Sequence, residues 1–471
     1  MTGGAPTRPA PRPAGAPIVS ALRPGGTVHR HEQILPGPVD PARAAAALRG
    51  NGRILLATSG SGPARPGVLA VGELALISCG PSREPGAGGT ALHAAVHFLD
   101  GLDFDRARHP EERRFFGVVG YDAVRDIERL KPRSGEDLPV YDLFLPEILI
   151  RFEDAAVRVV GRGGDASAAR RACSRAVRLL TAPKARPPRP QRAGTARFTL
   201  SRDGHHAAVE QAKRYIVDGD IFQVVLSLAV TAEAEADGLS LYSSLSSFNP
   251  SPYQFWYRSR EFEVAGCSPE PCVTLDGTRA VIRPLAGTRP RGADAAADLR
   301  AERDLYGSEK ELAEHRMLVD LARNDLGRVC VPGSITVPHL MQVERYSHVM
   351  HLTSDVTGEL RTGLTAADLI TATFPAGTMT GAPKVRAMEI IDELEPVPRS
   401  FYSGAVGSFG THDVDLWLTI RSAVLHQGQV RLQAGGGIVY DSDPAQEHAE
   451  CLAKLGAAAR AAGIDLGRAA G

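Results

Sequence analysis

The chain reads as an α+β protein with layered strands, and three observations carry that reading. Apolar alternation recurs along it without the strict strand-and-helix alternation of a doubly wound sheet. Hydrophobic residues fill 43% of 471 positions and charged residues 23%, the mix of a globular protein with a sizeable core. Glycine-punctuated strand signals crowd the second half, with amphipathic helical stretches between them. At this length two or three domains are the ordinary expectation.

Taken in order, residues 1–27 are rich in arginine, proline and glycine. They hold no apolar run long enough for a signal peptide or membrane span, and a disordered tail on a cytoplasmic protein is expected. Residues 28–180 form a mixed N-terminal region, in which RILLATSG, VLAVGELALIS and EILIRFEDAAVRVVGRG alternate as strands do. The basic, proline-rich stretch 181–197 interrupts all periodicity and reads as a linker or surface loop. Beyond it, 198–462 reads as a second, larger domain. HHAAVEQAKRYIVDGD predicts a helix ended at Gly219, and IFQVVLSLAVTAEA a strand. Further strands are expected in YQFWYRSREFEVAG, CVTLDGTRAVIRP, GAVGSFG, LWLTIRSAVLHQG and QVRLQAGGGIVYD, and helices over 308–325, 383–393 and 444–462.

Composition excludes some function classes. Lys plus Arg equals Asp plus Glu at 54 each, so no global field draws in nucleic acid or an anionic membrane. Six irregularly placed cysteines argue for a reducing compartment rather than a disulfide framework. No Gly-x-Cys-x-Gly elbow is present to expose a thiol nucleophile, and no Gly-x-x-x-x-Gly-Lys-Ser/Thr loop to cradle a nucleotide.

Two acidic pairs stand out. Glu311 and Glu314 in SEKELAEHRMLVDLARNDLG, and Glu447 and Glu450 in DSDPAQEHAECLAKLG, are each three residues apart on a predicted helix. That spacing sets two carboxylates on one face, at a cost a divalent cation would remove. Each pair also has a structural reading. Ser308 with Glu311 fits a capping box, and Glu450 with Lys454 an ordinary helix ion pair.

Read in order, GDIFQVVLS, NPSPYQFW, GCSPE, RPLAGTRPRG, ELAEHRMLVDLARNDLGRV, RYSHVMHLTS, FPAGTMTGAPKVRAMEIIDELE, YSGAVGSFG, LTIRSA, QAGGGIVYDSDP and EHAECLAK resemble the chorismate-utilising enzymes, and among them anthranilate synthase component I. The resemblance spans about residues 200 to 457. It implies two packed β-sheets with outer helices, a Mg²⁺ cofactor and chorismate as substrate.

Carried over by position, the resemblance implies Glu314 and Glu450 as metal ligands, with Glu311 and Glu447 as their helix-face neighbours. The metal would engage the ring carboxylate of chorismate, so that a nucleophile adds at C2 while hydroxide leaves C4. Glu270 of GCSPE falls at the general-acid position, where burial has to raise its pKa. Tyr402 and Arg421 match the grip on the enolpyruvyl carboxylate. Gly287, Thr288 and Thr378 match positions lining the ring, and Lys454 a lysine near the ring carboxylate. Gly435, Gly436 and Gly437 offer bare backbone N–H groups as a carboxylate cradle.

Two positions select the nucleophile and product. Water-using relatives carry a lysine where this chain has Gln223, and a neutral amide cannot deprotonate water, so ammonia is expected. Aminodeoxychorismate synthases carry a nucleophilic lysine where RPLAGT places Ala286. His351 lies at the position associated with pyruvate elimination, which leads to anthranilate. Amination that stops at aminodeoxyisochorismate is the alternative. Without a cysteine elbow, ammonia has to come from a separate glutamine amidotransferase subunit. Tryptophan-sensing members carry an LLES motif, and the corresponding RILLATSGSG lacks its glutamate.

Overall fold

The computed structural model describes residues 18–23, 25–59, 66–80, 90–131, 133, 138–182, 192–248, 250–346 and 349–467. Two large, predominantly antiparallel sheets pack face to face with helices outside, the α+β arrangement expected. Among the described residues one sheet has eleven strands and the other fourteen.

The layers follow from alternation along the strands. In Ile54–Ser59, Leu55 points toward the other sheet while Ile54 and Leu56 point toward the outer helices. Leu55, Phe255, Tyr257 and Val264 from one sheet meet Phe116, Val118, Phe144, Val406 and Trp417 from the other. The Phe144 and Tyr257 rings lie 6.3 Å apart across this interface. Helices Pro41–Leu48, Ala166–Thr181, Gly238–Phe248 and Pro444–Ala462 cover the outer face of the fourteen-stranded sheet. Helices Ala91–Asp100, Glu309–Gly327 and Ala366–Thr373 cover that of the eleven-stranded one.

The divide at 181–197 runs through both sheets rather than between two bodies. Ile54–Ser59 pairs with Tyr253–Arg258, and Phe115–Val119 with Ala405–Phe409. Residues 18–20, expected in a disordered tail, form a strand paired to Ala75–Cys79, because Ile18 adds to an apolar edge there. Of the expected linker, Arg192–Ala193 and Arg197–Phe198 pair with Gln223–Glu235, while 183–191 lie outside the described residues.

Two chain crossings position the site. The chain leaves the fourteen-stranded sheet after Phe262–Ser268 and enters the other at Pro271–Asp276, with Glu270 in the crossing. It returns between Asp413–Leu418 and Ser422–His426, with Arg421 in that crossing. The crossings lie side by side: Leu418 N–H donates to Glu270 O at 3.2 Å, and Cys267 N–H to Arg421 O at 3.3 Å.

Candidate active site

A cavity of about 620 Å³ opens beside these crossings. Every residue singled out from the sequence except Gly436 lines it. Gly436 is buried in the adjacent wall, where a β-carbon would lie 2.8 Å from Glu447 Oε2.

The two acidic helices face each other across the cavity. Glu309–Gly327 starts at Ser308, whose hydroxyl accepts from Glu311 N–H at 3.4 Å. Only this half of the expected capping box forms, because the Glu311 carboxylate turns to Arg289 Nη1 at 3.1 Å. Pro444–Ala462 starts at Asp443, whose side chain accepts from Gln446 N–H, and carries Glu447 and Glu450 in its first two turns. Gln223 Nε2 donates to Glu314 Oε1 at 2.8 Å, and Ser442 Oγ to Glu447 Oε1 at 2.7 Å. Lys454 Nζ lies 2.6 Å from Glu450 Oε1 and donates to Gly435 O at 2.7 Å. Burial, with the charge of Glu450 adding to it, holds the Glu314 and Glu447 carboxyls above their ordinary range.

Glycines 435–437 are not a loose bulge. They belong to the regular strand Gln429–Ile438, paired residue for residue with Gln223–Glu235. Side chains crowd them: a β-carbon at Gly437 would lie 2.3 Å from Gln223 Nε2 and 3.4 Å from Glu314 Oε1. Bare backbone lets the acidic helices approach this strand.

The opposite wall holds the acid–base candidates. Burial pushes the Glu270 carboxyl up to about 8, although Thr378 Oγ1 donates to its Oε1 at 2.9 Å and works the other way. Thr288 and His351 are register partners, the Thr288 hydroxyl 2.9 Å from His351 Nδ1. The pairing slips between Ala286 and Thr288, where Gly287 takes φ +56. Burial first, and the charge of Arg421 second, push His351 down to about 4, so its ring is neutral at neutral pH. His348 lies outside the described residues. Burial lowers the Arg421 guanidinium pKa and raises that of the Tyr402 phenol.

A family model described as chorismate binding enzyme matches residues 54–460. The chain belongs to the chorismate-binding enzymes. It is 42% identical over 369 residues to anthranilate synthase component 1 of Pseudomonas putida, a match covering 74% of each chain. To that of Thermus thermophilus it is 44% identical over 365 residues, covering 75% of this chain and 79% of the relative. Among solved structures, anthranilate synthase component I from Streptococcus pneumoniae TIGR4 aligns with TM-score 0.73 and 31% identity, over 85% of this chain and 93% of that one. The menaquinone-specific isochorismate synthase of Escherichia coli aligns with TM-score 0.75 at 19% identity, a likeness of fold.

In this chorismate-binding enzyme the cavity also uses residues that the sequence reading did not single out. Arg289 and Ser442 hold two of the four glutamates, and Lys310 lines the cavity. RPLAGTRPRG was legible as a motif, yet nothing in it tells which arginine reaches a helix. Behind Tyr402, buried Arg399 bonds Glu395, Val225 O and Met379 O, with its guanidinium carbon 5.6 Å from the Tyr402 ring centre. Among the described residues no three His, Cys, Asp or Glu side chains close into a metal cluster. No helix among them is long and apolar enough to cross a membrane. Among the described residues no disulfide joins any of the six cysteines.

Proposed function

We propose that this chain is an anthranilate synthase component I, aminating chorismate at C2 and eliminating pyruvate. The observation that carries the reading is one cavity lined both by a buried carboxyl raised to about 8 and by glutamates from two facing helices. The names of its relatives point the same way.

The donor set fits magnesium, which takes one or two protein carboxylates and completes its shell with water and an anionic substrate. Glu314 and Glu450 would hold it, and when bound it would supply a Lewis acid toward the ring carboxylate. Glu270, protonated at neutral pH, gives its proton to the hydroxide leaving C4, which departs as water. Gln223 cannot serve as a base toward water, and its amide is occupied with Glu314, so ammonia adds instead. Neutral His351, oriented by Thr288, then takes the C2 proton as the C3–O bond breaks, and the enolpyruvate released takes a proton on its methylene carbon to leave as pyruvate. Ala286 lines the cavity without a nucleophile, against an aminodeoxychorismate route. Arg421 and Tyr402 grip the enolpyruvyl carboxylate.

The component number in the relatives' names points to a second component, here a glutamine amidotransferase that delivers ammonia. The test is purified chain with chorismate, Mg²⁺ and ammonium, followed by anthranilate fluorescence and pyruvate release. Both are expected, both are lost on chelation or in Glu314→Ala and Glu450→Ala, and glutamine does not replace ammonium. Aminodeoxyisochorismate without pyruvate would overturn the lyase assignment in favour of amination alone. Unconsumed chorismate would overturn the reading altogether.

A further inference from the structure

The four glutamates that the two helices bring to the cavity are held by unlike partners. Glu314 accepts from the neutral Gln223 amide and Glu447 from the neutral Ser442 hydroxyl, so neither of these hydrogen bonds brings a cation to its carboxyl. Glu311 is paired to Arg289, which is also tied to Asp304. Glu450 is paired to Lys454, one helical turn onward.

The Lys454 pair differs from the Arg289 pair in how easily it can be broken. Arg289 is anchored at two carboxylates, whereas Lys454 holds one carboxylate and one carbonyl oxygen, that of Gly435. The Glu450 side chain is 51% exposed and that of Lys454 30%, and ion pairs so exposed are weak. An ammonium on a flexible four-carbon stem also re-aims readily. Arg421 donates to the Lys454 backbone oxygen at 3.3 Å, which fixes the base of the stem independently of the contacts at its tip.

We propose that Lys454 is a displaceable counter-ion for Glu450. Its ammonium and a divalent cation contend for the same carboxylate, and an anionic substrate decides the contest by drawing Lys454 to itself. The inference rests on the metal reading above and deepens it. Metal and chorismate then each strengthen the other's binding by the same factor, as linkage requires.

Calorimetric titration with Mg²⁺, with and without chorismate and with ammonia withheld so that no turnover occurs, tests this on the full chain. In the wild type, chorismate should tighten Mg²⁺ binding about tenfold or more. Lys454→Met should bind Mg²⁺ about tenfold tighter than wild type with no chorismate present, the low end for removing a like charge at contact distance. Chorismate should then add less than about threefold to that variant. Lys310→Met removes a lysine from the same cavity whose charge acts on Glu314 and Glu447, and should tighten Mg²⁺ binding clearly less. Equal tightening in both variants would mean a general field rather than an exchange, and no tightening in Lys454→Met would also overturn the proposal. Glu450→Gln reports on the underlying reading. If it binds Mg²⁺ as wild type does in the presence of chorismate, the metal assignment fails, whatever the lysine variants do.

Discussion

Glu270→Gln should raise stability and remove activity together, and the size of both effects follows from the site. Burial lifts this carboxyl from 4.5 to about 8, so the folded chain keeps a proton that the unfolded chain releases. The folded state therefore binds more protons between those values, and stability falls as pH rises through that window. At 1.36 kcal/mol per unit, the cost at pH 7 is about 3 kcal/mol, growing toward about 5 kcal/mol above pH 8. Glutamine has the same shape, carries no charge and can still accept the Thr378 hydroxyl through its amide oxygen. Denaturant titrations of both proteins should coincide near pH 4.5 and diverge in favour of the variant as pH rises. Anthranilate formation should drop about 10²- to 10⁴-fold, the worth of a positioned general acid, and wild-type turnover should decline as pH rises through about 8. A variant that is less stable at pH 7, or a stability difference that does not change with pH, would refute the claim that burial strains this carboxyl.

Three further outcomes are expected. Gly437→Ala drives a β-carbon to 2.3 Å from Gln223 Nε2, so the amide must leave Glu314; kcat/KM should fall about 10- to 100-fold, the loss of one charge-assisted hydrogen bond, with the fold intact by circular dichroism. His351→Met should stop at aminodeoxyisochorismate, with amination retained and pyruvate release lost, as resolved by product chromatography; unchanged pyruvate release would remove His351 from the elimination step. Arg399→Met leaves Glu395 buried with only the Ser227 N–H and hydroxyl, and should cost about 3–5 kcal/mol in denaturant unfolding, partly recovered by adding Glu395→Gln.

Helix ends were legible where their caps are local. Expected helices at 308–325, 383–393 and 444–462 appear as Glu309–Gly327, Lys384–Leu394 and Pro444–Ala462, with Ser308 and Asp443 capping the starts of the first and last and left-handed Gly463 stopping the last. LWLTIRSAVLHQG, read as continuous strand, is two strands in different sheets, broken where Arg421 takes φ +51. Period-two alternation says which face a residue occupies but not when the chain changes sheet. The same limit hid the crossings that bury Glu270. The residues that line the cavity were readable because ordered motifs carry them. Arg289, Ser442 and Arg399 were not, since each acts through a partner that only the fold brings near.

The weaving of early and late strands also bears on how the chain is made. Ile54–Ser59 meets its neighbour Tyr253–Arg258 only after almost 200 further residues have been added, and Phe115–Val119 waits for Ala405–Phe409. At about 5–20 residues per second, the first of these strands spends roughly 10–40 s on the ribosome with one edge unmatched. An open apolar edge is a template for other chains. A nascent polypeptide of this design therefore carries an exposed pairing edge through much of its synthesis, and truncation anywhere before the Ala405–Phe409 strand should yield insoluble product rather than a folded fragment.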